Sequence, residues 1–539
     1  MTRRITRREF NQLAAAAGAA ALVPFAHASA EAHFANSPFQ LGVASGDPTT
    51  DGFVIWTRLA PEPLEPASLD RSSFKVAWEV AEDPGFARIA KQGTALAAPN
   101  FAHSVHVEVD GLTPGREYFY RFHLGRHESA VGRAITCPAA NSAPEVLRFA
   151  FSSCAHYEQG FFSAYRHMAD DRPDLILTLG DYIYEDSWGE WLVRRFEPFE
   201  AFSLEDYRRR YTQYRLDPDL QVAHAACPWL VTWDDHEVDN DYVGLTGENE
   251  LCGGAAVRKA FRARRAAAYQ AWFEHMPVRP SRLLPGMAVR IYGSVDWGRL
   301  ARFYVLDTRQ YRSVQACPNP PTAGRCDFIN GRKIPGSGAG GSNVVDPNAP
   351  ACRAVLEDAT RTVLGDAQQR WLDGALAEGG GAWNVIAQNV MMSTIVEGTR
   401  ESPRHYTDAW AGYPPARERL YAALARHRTA NPIVLTGDIH SFWVNDLANA
   451  AGKPVGVELV TSSIATSTYN KAAVLPLNPQ TLFHDGQHNG YVRCELRADK
   501  LRAEIVTIDD RSDPRSGRSV AASFEISSGD PHPRRIGTG

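Results

Sequence analysis

The chain has 539 residues, of which 44% are hydrophobic and 22% charged, a balance that excludes a disordered or fibrous polymer and is long enough for two domains. Its formal net charge of -5 argues against general nucleic-acid binding, so no stable nucleic-acid partner is expected. Eight cysteines over this length do not make a disulfide scaffold.

Residues 1–30 read as a processing segment. Thr6-Arg7-Arg8-Glu9-Phe10 precedes an alanine-rich apolar run from Leu13 to Val23, and both Ala26-His27-Ala28 and Ala28-Ser29-Ala30 are small-x-small cleavage sites. Paired arginines ahead of a weakly apolar core predict a twin-arginine signal and use of the Tat export machinery, which carries proteins already folded. A cofactor loaded before translocation is then expected, and the mature product is expected to be exported, periplasmic or secreted. The segment carries four arginines against one glutamate, so its removal takes the chain to -8. No later stretch holds about 18 continuous apolar residues, and no transmembrane segment is expected in the mature chain.

Residues 38–137 predict a small all-β domain. Val54–Thr57, Phe74–Val80, His103–Val109 and Tyr118–Phe122 are alternating or aromatic-rich stretches, and Gly111-Leu112-Thr113-Pro114-Gly115 is a turn. An immunoglobulin-like or fibronectin-like sandwich is the natural reading, with a role in covering or orienting the second domain.

From 145 to 515 the pattern changes to short continuous apolar runs, which suit strands buried on both faces. These are Val146–Phe151, Leu175–Leu179, Leu230–Trp233, Leu300–Leu306, Trp383–Ala387 and Pro432–Leu435; helical stretches are expected over Phe162–Ala169, Ala255–Phe273 and Asp366–Ala377. Gln388–Thr394 either prolongs a strand or begins a loop. Further strands over Gly456–Thr461, Tyr491–Leu496 and Leu501–Ile508 argue for an α/β fold with two sheets and outer helices rather than a simple Rossmann fold. Ala316–Ala351 is a Gly/Pro/Asn-rich insertion that holds Cys317 and Cys326, a candidate loop-closing disulfide, with Cys352 just beyond it as another partner.

Four patches carry the chemistry. Asp181 follows the run Leu175–Leu179 through Gly180, and Asp438 and His440 follow Pro432–Thr436 through Gly437, so the same Gly-Asp construction occurs twice. On an extended strand end, positions i and i+2 face one side, and the two strand ends are expected as neighbours in one sheet. Tyr184 returns a phenol towards Asp181, and a hard trivalent metal can hold it as phenolate. In Trp233-Asp234-Asp235-His236-Glu237, Asp235 is the better ligand candidate. His236 is better used beside the metals on phosphate or the leaving oxygen, while Asp234 and Glu237 orient these groups. Cys154 ends the run Phe149–Ser153, and its thiolate becomes a ligand next to a cation. Cysteine, tyrosinate, carboxylate and imidazole together suit ferric iron, with an oxygen-rich neighbouring site for calcium. Arg208, Arg209 and Arg210 read as a solvated helix face.

Gly42–Pro48 with Val54–Arg58, Ser153-Cys154, Leu179–Glu185, Trp233–Val238 and Gly437–Ser441 together resemble the alkaline phosphatase D (PhoD) family over residues 38 to about 510. The resemblance implies a metallophosphatase, similar at its metal core to purple acid phosphatases, with a calcineurin-like two-sheet sandwich flanked by helices. It implies an Fe(III)–Ca(II) centre in which Cys154, Tyr184 and His440 serve iron, Asp181 bridges, and Asp235 and Asp438 serve calcium. More than one calcium, or Mn, Co or Zn at the second site, fits the same ligands. His236 takes the place of the substrate-contacting histidine, and Asn389 is a candidate remaining ligand. The expected reaction is in-line attack on a phosphate monoester or diester by metal-bound hydroxide. A phospholipase D-like hydrolase of phospholipid head groups is the alternative. An oxygen-metabolising iron protein and a cell-surface binding protein are the rival classes.

Overall fold

The computed structural model describes residues 34–65, 69, 72–189, 191–197, 200–247, 255–317, 328–329, 332–333 and 344–537. The expected signal segment, Cys326 and most of the insertion lie outside them.

Among the described residues, two large sheets face each other across an apolar core. Strands Leu147–Ser152, Leu175–Leu179 and Pro228–Thr232 run parallel side by side in the middle of a ten-stranded sheet. Strands Ala301–Val305, Trp383–Ala387, Pro432–Thr436 and Pro454–Val460 run parallel in the middle of a seven-stranded one. Leu177, Leu179 and Leu230 from the first sheet meet Phe303, Val385, Ile433 and Leu435 from the second, which is why these strands read as unbroken apolar runs. Helices Ser163–Asp170, Leu204–Arg215, Pro218–Ala226 and Ala255–His275 cover the outer face of the first sheet. Gly365–Ala377 and Pro414–Arg426 cover that of the second. The fold is α/β, and the segment Gln388–Thr394 is a loop leaving the strand Trp383–Ala387.

The two Gly-Asp strand ends belong to different sheets, correcting the expectation that they neighbour one another in one. Leu175–Leu179 and Pro432–Thr436 instead point their C-terminal ends to the same rim of the sandwich, so the loops after them converge from opposite layers.

The β-rich N-terminal segment is stitched into this body. Strands Val43–Thr49, Gly52–Arg58 and Ser104–Val109 extend the ten-stranded sheet beyond Pro228–Thr232. The second layer, built on Phe74–Ala81, Ile89–Ala97 and Glu117–Leu124, packs on them through Phe53, Ile55, Val76 and Tyr120. Asp47, in the Gly42–Pro48 motif, takes the Arg282 guanidinium at 2.6 Å and the Arg279 backbone N–H at 2.8 Å. A Cβ on Gly46 would lie 2.3 Å from the Pro277 carbonyl oxygen, so this motif secures a close backbone approach rather than supplying chemistry. At the other end, strands Arg518–Ser527 and Arg534–Gly537 carry the large sheet past residue 515.

Cys317 is joined to Cys352, 35 residues away, within a small apolar cluster that includes Val345 and Leu356. The arginine run is not a solvated face. Arg208 binds buried Glu274 at 2.6 Å, and Arg210 is fully buried over the Phe196 ring, donating to the Tyr184 carbonyl. Only Arg209 of the three stays towards solvent, near exposed Glu197. A helical periodicity of 3.6 places i and i+2 on different faces, and here two faces of Leu204–Arg215 are covered by neighbouring elements. No helix among the described residues is long and apolar enough to cross a membrane.

Candidate metal centre

Each functional loop leaves its strand by an abrupt turn. Cys154, Asp181, Asp438 and His440 all adopt positive φ, at 59°, 53°, 68° and 51°. Left-handed backbone costs a non-glycine residue of order 1–3 kcal/mol, and four such residues in one place mark a site the rest of the fold holds in shape. Asp438 and His440 therefore leave an αL turn, not the extended end that the i, i+2 argument assumed. The glycines before the aspartates have separate reasons. Gly180 has φ 94°, and a Cβ there would lie 2.4 Å from Asp234 Cβ; one on Gly437 would lie 2.5 Å from Ser153 Oγ.

Asp181 is the centre of the arrangement. Its Oδ2 is 3.4 Å from Cys154 Sγ and 3.2 Å from the Tyr184 hydroxyl, while its Oδ1 accepts from the His236 backbone N–H at 3.4 Å. The Tyr184 hydroxyl is also 3.2 Å from His440 Nε2. Two groups of donor atoms share Asp181, Cys154–Asp181–His440 and Asp181–Asp235–His236, and a third, Asp235–Asp241–Asp408, shares Asp235. In each group the donors lie within 4.8 Å of one another. Asp438 stands outside those three groups, with Oδ2 buried and lacking a hydrogen-bond partner among the described residues.

The donor chemistry fits bound cations. Burial, then the neighbouring Asp181 carboxylate, pushes the Cys154 thiol and the Tyr184 phenol well up; burial and then Asp235 push the Asp181 carboxyl up. These groups hold protons unless positive charge replaces them, and a di- or trivalent ion does that. Burial brings His440 down to about 3, which keeps its imidazole neutral as a ligand must be. Its Nδ1 is 3.0 Å from the Ser467 carbonyl oxygen, which fixes the tautomer and turns Nε2 inward.

His236 is built differently. Its Nδ1 is 2.7 Å from Glu185 Oε2, and the other Glu185 oxygen accepts from the Asn240 N–H at 2.8 Å. Burial opposes the imidazolium, but Glu185, Asp235 and Asp181 outweigh it and push His236 up. Glu185 thus orients the ring through Nδ1 and leaves Nε2 for a ligand.

Behind the site, Glu237 accepts from the backbone N–H groups of Asp181, Tyr182 and Asp234 at 3.1, 2.7 and 2.9 Å, clamping two loops together. Asn389 is committed to the same task. Its amide nitrogen donates to the carbonyls of Leu179 and Trp233 at 3.0 and 2.6 Å, and its oxygen accepts from Thr308 at 2.7 Å. Two carbonyls can only accept, which fixes the amide's orientation, and Asn389 ties the two strand ends together.

Sequence reasoning assigned no role to Glu185, Asp241, Arg309 or Asp408. Arg309 is fully buried and pairs with Asp234, with Asp235 at 3.3 Å and with Asp408 at 2.8 Å; Arg312 also binds Asp408. The available signal was position. Arg309 follows the predicted strand Leu300–Leu306 as Asp181 follows its own, and polar residues just past a parallel strand's C-terminal end line such sites.

Two family models match the chain: the PhoD-like phosphatase over residues 149–505 and the PhoD-like phosphatase N-terminal domain over residues 26–138. The chain is 40% identical over 512 residues to alkaline phosphatase D of Bacillus subtilis (strain 168), covering 92% of this chain and 82% of that protein. A solved structure described as "Structure of PhoD" superposes with a TM-score of 0.84 at 38% identity, covering 94% of both chains.

Proposed function

The chain belongs to the PhoD-like phosphatases and is a metal-dependent phosphoester hydrolase, and we propose that its centre is an Fe(III)–Ca(II) pair held on a calcineurin-like sandwich. The observation that carries this is the position of Asp181, one carboxylate oxygen beside Cys154 and Tyr184 and the other on the side of His236 and Asp235. Cys154, Tyr184 and His440 would hold iron, whose preference for thiolate, phenolate and imidazole they match. Asp235 and Asp438 would hold calcium, with Asp241 and Asp408 offering oxygens for a second calcium. Mn, Co or Zn would find the same oxygens. When bound, the cations supply the charge that binds phosphoryl oxygens and makes a water nucleophilic near neutral pH.

The chain's own residues supply the rest. His236, braced by Glu185, which raises its pKa, donates through Nε2 to the departing oxygen as its bond to phosphorus breaks. Glu237 and Asn389 hold the loops so that the donors need no reorganisation during the reaction. Arg309 fixes Asp235 and Asp234 without reaching solvent. The relatives favour the phosphatase over the phospholipase D-like alternative. We also propose that residues 1–30 direct twin-arginine export to the periplasm or exterior, with metal loaded beforehand.

The test is turnover of p-nitrophenyl phosphate, bis-(p-nitrophenyl) phosphate and phosphatidylcholine after reconstitution with iron and calcium. Hydrolysis of the first two is expected. Turnover confined to phosphatidylcholine refutes the phosphatase reading, and turnover that is full with calcium alone refutes the iron assignment.

A further inference from the structure

A fifth loop, from Thr461 to Lys471, reaches the site from the end of strand Pro454–Val460. It belongs to none of the four patches, yet three of its residues grip the centre. Thr466 Oγ1 donates to the Cys154 carbonyl at 2.7 Å and lies 3.2 Å from the Tyr184 hydroxyl. The Ser467 carbonyl receives His440 Nδ1, and the Tyr469 backbone N–H bonds the His440 carbonyl at 3.3 Å. Gln159 pins the loop by accepting the Ser467 N–H at 2.7 Å and donating to the Trp188 carbonyl at 2.9 Å.

On this braced loop stands an exposed phenol. The Tyr469 ring lies nearly parallel to the His440 imidazole, with centroids 5.2 Å apart and planes at 10°, while 47% of the residue remains open to solvent. Its hydroxyl has no hydrogen-bond partner among the described residues. It lies within electrostatic reach of His236, Cys154 and Asp438, residues on three of the four patches. An aromatic side chain kept at the surface by a braced loop, stacked on the imidazole of a candidate ligand and with its hydroxyl unused, is placed for a ligand rather than for packing.

We propose that Tyr469 is a catalytic residue that touches the substrate, donating its hydroxyl hydrogen bond to a non-bridging phosphoryl oxygen of the bound ester. The donor engages only when an ester occupies the space over His440. Charge on the phosphoryl oxygens rises towards the transition state, so a fixed donor there is worth more than one in water. Neither the protonation of the leaving group by His236 nor the holding of the metals needs this contact, and its loss leaves both intact.

The proposal rests on the phosphoester hydrolase reading, and the test separates the two. Parental enzyme and Tyr469→Phe are compared on p-nitrophenyl phosphate and bis-(p-nitrophenyl) phosphate, with iron and calcium contents and the visible absorption band measured on the same samples. Removal of one fixed donor costs about 10²–10³ in kcat where it is buried, and about ten- to hundred-fold is expected for this partly exposed one. The fall should appear in kcat, and at least as strongly in kcat/KM, because the contact is present in the bound ester and strengthens towards the transition state. Metal contents and band should not move. Rates within two-fold of the parental enzyme overturn the proposal. So does loss of metal or a shifted band in Tyr469→Phe, since either shows that Tyr469 acts through His440. Tyr469→Ala, which also removes the ring from His440, should be no faster than Tyr469→Phe; a faster alanine variant counts against the contact. A parental protein that holds both metals and hydrolyses neither ester refutes the hydrolase reading instead.

Discussion

Replacing Arg309 by Met should cost the protein several degrees of thermal stability while leaving the substrate-facing surface untouched. The guanidinium is 0% exposed, and the side chains it serves, Asp234, Asp235 and Asp408, are 1%, 5% and 0% exposed. Asp408 keeps Arg312 after the change, so the uncompensated charge falls on Asp234 and Asp235. Removing one partner from a buried ion-pair network costs about 3–5 kcal/mol, because the survivors stay buried without their counter-charge. Unfolding entropy near ~2.1 cal/mol/K per residue, over roughly 500 residues, gives about 1 kcal/mol per degree, hence a fall in Tm of about 3–5 °C. Calcium should restore part of this, because a cation at Asp235 replaces the lost positive charge. Arg309→Lys, which keeps the charge but not the three-way fork, should lie between. Differential scanning calorimetry of chelated and calcium-loaded samples measures all three. An Arg309→Met protein that melts within 1 °C of the parental one in both states would refute the reasoning.

Asp181→Ala should lose both metals and turnover together, and atomic absorption showing full metal content beside near-normal activity would contradict the shared position of that carboxylate. His236→Ala should keep its metals but turn over at least a hundred-fold more slowly. In Glu185→Gln, His236 loses the partner that raises it, so the alkaline limb of the pH–rate profile should move to lower pH; an unmoved limb would separate Glu185 from His236. His106, far from the site, tests the fold. Its Nε2 lies 3.0 Å from the carbonyls of both Phe273 and Met276, and burial lowers its pKa to about 4. The native ring stays neutral where the unfolded one charges, so stability is complete above about pH 6.5 and declines as pH falls towards 4, by up to about 3 kcal/mol. A His106→Gln variant should show a shallower acid decline in urea unfolding, and an identical slope would contradict the assignment.

The strands that build the core were legible because both their faces are buried. Leu175–Leu179 and Trp383–Ala387 fall where their apolar runs end, and Pro432–Thr436 runs one residue further. Periodicity cannot say which strands share a sheet, and the two Gly-Asp loops proved to come from opposite layers. The ligand candidates were legible for a related reason: cysteine, tyrosine, aspartate and histidine after strand ends are costly to bury without a partner. What escaped were residues whose meaning is three-dimensional. Arg309, Asp408 and Asp241 sit in ordinary-looking loops and matter only because those loops converge. Tyr469 lies 29 residues beyond His440 on a segment without a motif. Arg210 read as solvated because a helix of mean polar composition gives no sign that two of its faces are covered.

The central claim is that one centre joins a thiolate–phenolate–imidazole iron site to an oxygen-ligand calcium site through Asp181. Its most direct test is the visible spectrum and metal content of the active enzyme, recorded for the parental protein and for Tyr184→Phe. Bound iron at one equivalent with a broad charge-transfer band that disappears in Tyr184→Phe is the result predicted. A fully active, colourless protein without iron would contradict it.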